Sequence, residues 1–362
     1  MTSPSRGSDE RLDPSVFDLP VEKMREGYYT DAYFNHTRAA LLADGRHPHV
    51  VMQVFQRRTA MLGGMDEAIA VLKLCSHDWG ALDVFALHDG DTIEPWETVM
   101  TIEGDYTLFA HLETVYLGVL ARRTLISTNT ERVLRAANGK PIIFMPARHD
   151  HHRVQTGDGY AAYVAGAISG TEIGVTSDAQ ASWWGGRGVG TVPHSLIAAY
   201  GGDTVIAATK FARWAPPDLH ITVLVDFEND SVATALAVAD ALGPKLWGVR
   251  LDTSGQLVDR SLWEEMGDFD PRGVNERLVR KVRTALDGAG HADVRIVASG
   301  GFSVEKIEEF ERRGVPVDAY GIGSSLIRGE NDFTADIVIT DGNPSSKIGR
   351  RLRSNPRLEH VA

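Results

Sequence analysis

The 362-residue chain has little of what many classes of protein depend on. Cys75 is its one cysteine, which excludes an internal disulfide and a cysteine-cluster zinc site and favours a reducing compartment. Acidic residues outnumber basic ones, 49 to 37, and the net charge of -12 argues against a general nucleic-acid or anionic-membrane surface. No apolar run reaches membrane-spanning length, and the start, MTSPSRGSDERLDPS, has no signal-peptide core. We therefore expect a soluble, cytoplasmic, globular protein.

Common nucleotide and metal motifs are also missing. The chain has neither G-x-x-x-x-G-K-[ST] nor G-x-G-x-x-G, so P-loop and Rossmann interpretations fail. It has no H-E-x-x-H, and the adjacent histidines of RHDHHR, Arg148 to Arg153, make poor shared ligands. We predict no metal site in the protein and leave the role of the His149–His152 cluster open. Arg148 is the more informative residue, because a guanidinium at a strand end can bind a carboxylate or phosphate through two hydrogen bonds.

Apolar patterning divides the chain into two regions. Up to residue 112, short apolar runs alternate with Asp-Gly and Glu-Gly turn signals, which is typical of a small α+β domain with antiparallel strands. From residue 113 to 330, strand–turn–helix units recur, such as ITVLVDF (221–227) followed by a helical pattern that stops at Gly243. Repeated βα units predict parallel strands in an irregular α/β barrel, with a doubly wound sheet as the alternative.

Polar residues follow the predicted strands of the second region. In a barrel the carboxyl ends of the strands form one face, where chemistry occurs. SGGFS (299–303) ends a strand and opens a helix, and YGIGSSL (320–326) repeats that arrangement, so both can present backbone N–H groups to a phosphate. A phosphosugar is therefore a better candidate ligand than a dinucleotide. The residues at strand ends are Arg148, Ser177, Asp226, Asp252, Ser299 and Gly323.

The stretch GTVPHSL places a titratable imidazole at an unusual junction. His194 follows Pro193, and Ser195 can cap a helix that begins at Leu196. An imidazole beside a helix N-terminus lies where anions bind, which favours a functional histidine. The alternative is a structural, hydrogen-bonded histidine.

Six motifs follow one another along nearly the whole chain: YTDAYF, ARH, GTVPHSL, GVRLDTSG, SGGFS and YGIGSSL. In this order they resemble the nicotinate phosphoribosyltransferase family, which belongs to the type II phosphoribosyltransferases and is related to the nicotinamide and quinolinate enzymes. The polar start of the chain predicts a disordered tail over 1–20. The resemblance implies an N-terminal domain over 21–112. A C-terminal segment, 331–362, with DIVITDGNPSSKIGR, would complete that domain beside a barrel over 113–330.

The resemblance also implies an activity. Family members join a pyridine acid to phosphoribosyl pyrophosphate, release pyrophosphate and form the mononucleotide used to make NAD. Magnesium accompanies the pyrophosphate, and many members couple the reaction to ATP through a phosphorylated histidine. The family further implies a homodimer whose active sites lie between subunits.

Site residues carry over position by position. His194 matches the phosphorylated histidine, and Asp252 resembles the carboxylate that holds the ribose hydroxyls. Arg148 and Arg250 resemble the cations at the base and phosphate, and Tyr33 resembles a ring that stacks on the pyridine from the neighbouring subunit. Core packing is the alternative for Tyr33. The residues that match the phosphate loops are Ser299, Gly300, Gly301, Gly321, Gly323 and Ser324.

Two departures from the family pattern concern the base. Met145-Pro146 stands where the family commonly has Phe-Gly, and Glu172 stands where nicotinate enzymes often have a small polar residue. Beside the base, Glu172 would repel nicotinate and could accept an N–H from nicotinamide, unless it pairs with an arginine. Nicotinate is the expected base, with nicotinamide as the alternative. A sugar-phosphate isomerase or aldolase and a non-catalytic sugar-phosphate-binding protein remain as different classes.

Overall fold

The computed structural model describes residues 11–217, 219–267 and 269–361. Its backbone contacts divide the chain into two compact units. The first contains Met1–Thr128, Tyr160–Ile168 and Gly329–Ala362, and the second contains Asn129–Gly159 and Ser169–Arg328. The domain boundaries proposed from the sequence stay predictions.

The first unit combines an antiparallel sheet with helices, and elements are numbered along the whole chain. Its helices are α1 (Val21–Arg25), α2 (Ala32–Ala43), α3 (Met65–Cys75) and the first part of α4 (Glu113–Ala136). Its strands are β1 (His49–Phe55), β2 (Ala60–Met61), β3 (Asp83–Ala86), β4 (Thr92–Ile93), β5 (Thr98–Asp105), β13 (Thr334–Thr340), β14 (Asn343–Pro344) and β15 (Glu359–His360).

The C-terminal segment completes the sheet of the first unit, as the family resemblance implied. The strand order is β14-β13-β1-β5-β3-β15, and β13 pairs antiparallel with β1, where Val50 lies opposite Thr340. The core joins the inner sheet face to α3 and α4, and it includes Val54, Leu72 and Tyr116. The C-terminal strands therefore belong to the same folding unit as the N-terminal ones.

Residues 11–20, which the sequence analysis assigned to a disordered tail, are packed. Arg11 Nη1 lies 2.9 Å from Asp66 Oδ1, and Phe17 is buried. Pro14–Val16 forms a short 3₁₀ helix capped by Asp13. The tail prediction is wrong for these ten residues because an ion pair and an aromatic anchor fix them. The other predicted tail residues, 1–10, lie outside the described residues.

The second unit alternates strands and helices. Its strands are β6 (Ile142–Phe144), β7 (Ile173–Val175), β8 (Thr191–Val192), β9 (Ile221–Leu224), β10 (Leu246–Leu251), β11 (Arg295–Ala298) and β12 (Ala319–Ile322). Its helices are α5 (Gln155–Ser169, of which 160–168 belong to the first unit), α6 (Asp178–Ala181), α7 (His194–Ala199), α8 (Thr204–Trp214), α9 (Ser231–Leu242), α10 (Glu276–Gly288) and α11 (Val304–Arg312).

The seven strands of the second unit form one parallel, curled sheet. Their order is β7-β6-β12-β11-β10-β9-β8, which winds in one direction and so excludes the doubly wound alternative. The edge strands β7 and β8 follow each other in sequence, and Val189 N donates to Val175 O at 2.6 Å, which brings the two edges together. The predicted irregular α/β barrel is confirmed.

Local signals explain the strand and helix ends that position the site. Helix α9 begins after Asp230, whose side chain accepts from Ala233 N, and it ends at Gly243 with φ 53°. Strand β9 ends at Leu224, three residues before the apolar pattern does. Among the described residues, no helix is long and apolar enough to cross a membrane. The cytoplasmic location stays a prediction.

Candidate active site

The carboxyl ends of the barrel strands surround one cleft of about 670 Å³ in the second unit. Parallel strands place their carboxyl ends at one edge, which is why residues far apart in sequence meet there. Among the predicted site residues, those that line the cleft are Arg148, His194, Arg250, Asp252, Ser299, Gly300, Gly301, Gly321, Gly323 and Ser324. Ten of the twelve residues predicted from the sequence are therefore brought together.

His194 is the first residue of α7 and forms a pair with a buried carboxylate. Its Nε2 lies 2.9 Å from Asp226 Oδ1, in the turn that follows β9. Burial raises the pKa of Asp226, and the hydrogen bond to His194 partly opposes that rise. Pro193 is the residue before the helix and Ser195 lies inside it, so the predicted Ser195 cap is wrong.

Asp252 is held by two neighbours at the end of β10. Arg250 Nη2 lies 3.2 Å from Asp252 Oδ2, and Ser299 Oγ lies 2.7 Å from Asp252 Oδ1. Arg250 Nε also donates to Ser299 Oγ at 2.8 Å, so the three side chains form a closed set. Arg250 lies in β10 and Asp252 directly follows that strand, so the two side chains lie on the same side because side chains alternate along an extended chain. The carboxylate is thereby fixed at the cleft wall with a cation beside it.

Glycines let both phosphate-type loops approach the cleft closely. Gly300 and Gly301 have φ angles of 85° and 79°, in the left-handed region that side chains disfavour. Gly321 lies in β12, and a Cβ there would be 2.8 Å from the Met145 methyl carbon, so this strand packs directly on Met145. A Cβ on Gly323 would lie 3.0 Å from His149 Cε1. The loops therefore leave room and backbone N–H groups for a phosphate.

The cleft carries more positive than negative charge, although the chain as a whole is acidic. Arg148 and Arg328 line it, and neither guanidinium has an ion-pair partner within the part of the chain that the structure describes. Arg250 is partly neutralised by Asp252, which is the one carboxylate in the described lining. Such a surface suits a ligand with several anionic groups.

Glu172 lies away from this cleft. It precedes β7, whereas Thr176 directly follows that strand, and four residues of extended chain span roughly 13 Å. Glu172 lines a second cavity of about 440 Å³ inside the barrel with His220 and Trp247, whose rings are stacked. The described lining of the cleft does not include Glu172, which belongs to the amino end of its strand, and its place beside the base stays a prediction.

The second cavity adjoins the cleft through a shared wall. Met145, Thr176, Thr191 and Arg250 line both spaces. Gly174 also lines the second cavity, and a Cβ there would lie 3.3 Å from a methyl carbon of Val189. A planar ligand that extended from the cleft into the second cavity would contact the polar side chains of this shared wall.

Tyr33 belongs to the first unit. It lies in α2 with its side chain 59% exposed, and its hydroxyl is 3.4 Å from Asp31 Oδ2. The ring centroid lies 4.4 Å from that of Phe34, which is buried. The exposure argues against the alternative that Tyr33 is a core residue.

The histidines of the 149–152 cluster lie in two different environments. His149 lines the cleft, while the rings of His151 and His152 pack on each other at 4.2 Å. Within residues 11–217, 219–267 and 269–361, no group of three His, Cys, Asp or Glu side chains could hold a metal ion. The stacked histidines have no assigned role.

Sequence reasoning missed three residues of the site. Asp226 was seen at a strand end but was not linked to His194, which is 32 residues away. Arg328 follows the YGIGSSL motif and has no signal of its own. Thr176 was overlooked although it is the last residue of a predicted strand, and its place at the carboxyl end is the signal that could have identified it.

Comparisons with known sequences agree on one enzyme group. A model of the quinolinate phosphoribosyl transferase N-terminal domain matches residues 31–124. A nicotinate phosphoribosyltransferase of Mycobacterium tuberculosis is 32% identical over 277 residues, which cover 74% of this chain and 55% of the relative. One of Bacillus subtilis is 25% identical over 248 residues, covering 67% and 45%. The chain spans about half the length of these curated relatives.

Solved structures give similar results. The structure of nicotinate-nucleotide pyrophosphorylase from Pyrococcus furiosus superimposes with a TM-score of 0.78 at 31% identity, covering 95% of this chain and 85% of that one. Human nicotinic acid phosphoribosyltransferase superimposes with a TM-score of 0.66 at 17% identity, covering 89% and 77%. The second likeness shows the fold alone.

Proposed function

Because the chain belongs to the type II phosphoribosyltransferase family, we propose that it transfers the phosphoribosyl group of phosphoribosyl pyrophosphate to nicotinate. The products are nicotinate mononucleotide and pyrophosphate, a step of NAD biosynthesis or salvage. The observation that carries the proposal is the composition of the cleft. It combines one fixed carboxylate, Asp252, with two phosphate-type loops and two cations, Arg148 and Arg328, that have no ion-pair partner among the described residues.

Each part of the donor substrate has a matching surface. The loops around Gly301 and Gly323 would hold the 5-phosphate through backbone N–H groups, and Arg148 and Arg328 would neutralise the pyrophosphate. The pyridine nitrogen forms a bond to ribose C1 while the C1–O bond breaks, and that bond's electron pair leaves with pyrophosphate. Asp252 would bind the ribose hydroxyls and stabilise the positive charge that develops on the sugar.

Magnesium would enter this site with the pyrophosphate, held chiefly by phosphate oxygens and water. Both oxygens of Asp252 already have protein partners, and the described lining of the cleft has no second carboxylate. Mg²⁺ is commonly held by one or two carboxylates together with phosphate oxygens and water. When bound, the ion supplies charge neutralisation to the leaving group. Asp252 is the residue that would contribute to its shell.

ATP coupling through His194 is part of the proposal. His194 faces the cleft, and Asp226 binds its Nε2, which leaves Nδ1 as the nitrogen that can accept a phosphoryl group. The γ-phosphate of ATP would move to Nδ1 as the bond to ADP breaks, giving a phosphohistidine at this position. The hydrogen bond to Asp226 would orient the ring.

A homodimer with shared active sites is also proposed, because Tyr33 is an exposed aromatic ring that the family pattern assigns to the neighbouring subunit's base site. Two alternatives lose support. Glu172 was the residue that favoured nicotinamide, and it lines the second cavity and not the described wall of the cleft. The described lining also has no lysine, which a Schiff-base aldolase would need.

The test is base-dependent release of pyrophosphate. Purified protein is incubated with Mg²⁺, phosphoribosyl pyrophosphate and either nicotinate, nicotinamide or quinolinate. We expect release with nicotinate and a loss of at least about a hundredfold in kcat for Asp252→Asn, which keeps the side-chain shape and removes the charge. Glu228→Gln, an exposed carboxylate in the turn after β9, is the matched control and should keep full activity. Absence of turnover with all three bases contradicts the proposal.

A further inference from the structure

The position of Asp226 depends on the turn that carries it. Within the part of the chain that the structure describes, no side chain other than His194 hydrogen-bonds its carboxylate, so the backbone of the turn determines where that carboxylate lies. Asn229 closes the turn, because its backbone N donates to Asp226 O at 3.0 Å. The φ angle of Asn229 is 55°, in the left-handed region that asparagine adopts more readily than most residues with a side chain.

Asn229 is attached to the loop after β10 through both its side chain and its backbone. Its Nδ2 donates to Val258 O at 2.7 Å, and its carbonyl oxygen accepts from Arg260 N at 2.8 Å. Oδ1 of the same amide is buried and has no hydrogen-bond partner among the described residues, so the amide acts through its donor. These two hydrogen bonds therefore join the turn after β9 to the loop that follows the neighbouring strand.

A buried carboxylate fixes the part of the loop to which Asn229 is attached. Asp259 is fully buried, and its Oδ2 accepts from Ser231 N at 2.9 Å and from Ser231 Oγ at 2.7 Å. Its Oδ1 accepts from Ser261 N at 3.0 Å and from the Ser261 hydroxyl at 2.6 Å. Because Ser231 is the first residue of α9, the loop stays attached to that helix when the Asn229 side chain alone is removed.

We propose that Asn229 is a positioning residue for the His194–Asp226 pair. Its hydrogen bond to Val258 O holds the turn 226–229 against a loop that Asp259 anchors, and so keeps Asp226 Oδ1 at 2.9 Å from His194 Nε2. Asp226 in turn orients the imidazole at the cleft. The inference rests on the proposed function, and it adds the residue that holds the partner of the histidine in place.

The experiment compares Asn229→Gly with the matched control Asn138→Gly. Asn138 is also left-handed, with a φ angle of 50°, and it is exposed and outside the described lining of the cleft. Glycine adopts this backbone conformation freely, so both variants keep the local fold and gain similar freedom in the unfolded chain. Asn229→Gly alone loses the hydrogen bond to Val258 O. The urea midpoint of each variant shows that it is folded.

The first measurement is the tautomer of His194, read from the nitrogen-15 shifts of its ring at about pH 9, where histidine is neutral. The hydrogen bond of one ring nitrogen determines which nitrogen carries the proton. Wild type and Asn138→Gly should hold the proton on Nε2, which faces Asp226. Asn229→Gly should shift toward the tautomer mixture of a histidine in water. Unchanged shifts in Asn229→Gly, or the same change in Asn138→Gly, overturn the inference.

The second measurement is the rate at which γ-labelled ATP labels the protein. Asn229→Gly should lower this rate by about tenfold, because a small displacement of a reacting group is costly, and Asn138→Gly should keep it. The KM for phosphoribosyl pyrophosphate and the kcat without ATP should change less than about twofold, since Asp252 keeps its own partners. Equal losses in all three quantities indicate a general structural role and overturn the inference. If the wild type is not labelled while the tautomer changes as expected, the ATP step of the proposed function fails and the positioning role stands.

Discussion

His194 and Asp226 form a pair whose members differ sharply in exposure. Nε2 of His194 lies 2.9 Å from Asp226 Oδ1, and the two side chains are 44% and 9% exposed. The carboxylate is thus screened from water while the imidazole reaches the cleft. Burial raises the pKa of Asp226, because it disfavours the charged carboxylate. The hydrogen bond with His194 opposes this effect and helps to keep Asp226 ionised.

The first prediction is that ATP labels His194. Incubation with γ-labelled ATP should give an acid-labile phosphoprotein, His194→Ala should abolish the label, and Asp226→Asn should reduce its rate by about tenfold. Labelling should also fall at acid pH, because a raised pKa makes Asp226 lose its charge at a higher pH than an ordinary aspartate.

A second histidine–aspartate pair serves as the control for this labelling. His291 Nε2 lies 2.8 Å from Asp240 Oδ1, outside the lining of the cleft. His291→Ala should keep the full label. If the label survives His194→Ala, His194 is not the phosphorylated residue.

The second prediction concerns shared active sites. Tyr33→Ala and Asp252→Asn should each be nearly inactive, the first through a higher KM for the base and the second through a lower kcat. In a dimer with shared sites, a heterodimer of the two variants has one intact site of two. An equal mixture after subunit exchange should therefore recover about a quarter of wild-type activity.

Two separate preparations of Tyr33→Ala, mixed in the same way, give the baseline activity for that experiment. Because Tyr33 is exposed, its substitution should leave the urea midpoint unchanged. An activity for the mixture equal to the mean of the two variants contradicts shared sites. It would place Tyr33 and Asp252 in the site of one subunit or in separate roles.

The third prediction concerns the pH dependence of stability in the first unit. Burial, and then the charge of Asp66, raise the pKa of Asp89 to about 7, although Met65 N and Asp66 N donate to it. The folded protein therefore holds a proton that the unfolded chain, with a pKa near 3.9, releases. The free energy of unfolding should fall as pH rises from about 4 to about 7, and then level off.

Urea unfolding of Asp89→Asn measures this contribution. Relative to Asp89→Asn, the wild-type protein should lose on the order of 1 kcal/mol per pH unit between pH 5 and 6.5. The exposed carboxylate variant Asp44→Asn should follow the wild-type curve. Parallel curves for wild type and Asp89→Asn would show that Asp89 titrates in the ordinary range.

Much of the site could be predicted because parallel strands deliver their carboxyl ends to one edge. Asp252, Ser299 and Gly323 each follow a strand whose apolar run is visible in the sequence, and the barrel then brings them together. The C-terminal return to the first sheet was suggested by the family resemblance, and β13 confirms it. Local signals also determine α9, which begins and ends where its cap residues predict.

Other features depend on information that the linear pattern does not contain. Glu172 and Thr176 lie on the same side of β7 but at its opposite ends. A strand of only three residues does not indicate from the sequence which of the two residues lies at the cleft. Arg328 reaches the cleft through the loop after β12, where no periodicity marks it. Asp226 contacts His194 only through tertiary packing, because the two residues are 32 positions apart in the sequence.

The central claim is tested most directly by identifying the product. Nicotinate and phosphoribosyl pyrophosphate are incubated with Mg²⁺ and the protein, and the product is analysed by mass spectrometry while pyrophosphate is measured in parallel. The account predicts nicotinate mononucleotide and pyrophosphate in equal amounts, both lost in Asp252→Asn and both absent when the base is omitted. Pyrophosphate release that continues without a base, or consumption of the donor with no mononucleotide formed, would contradict it.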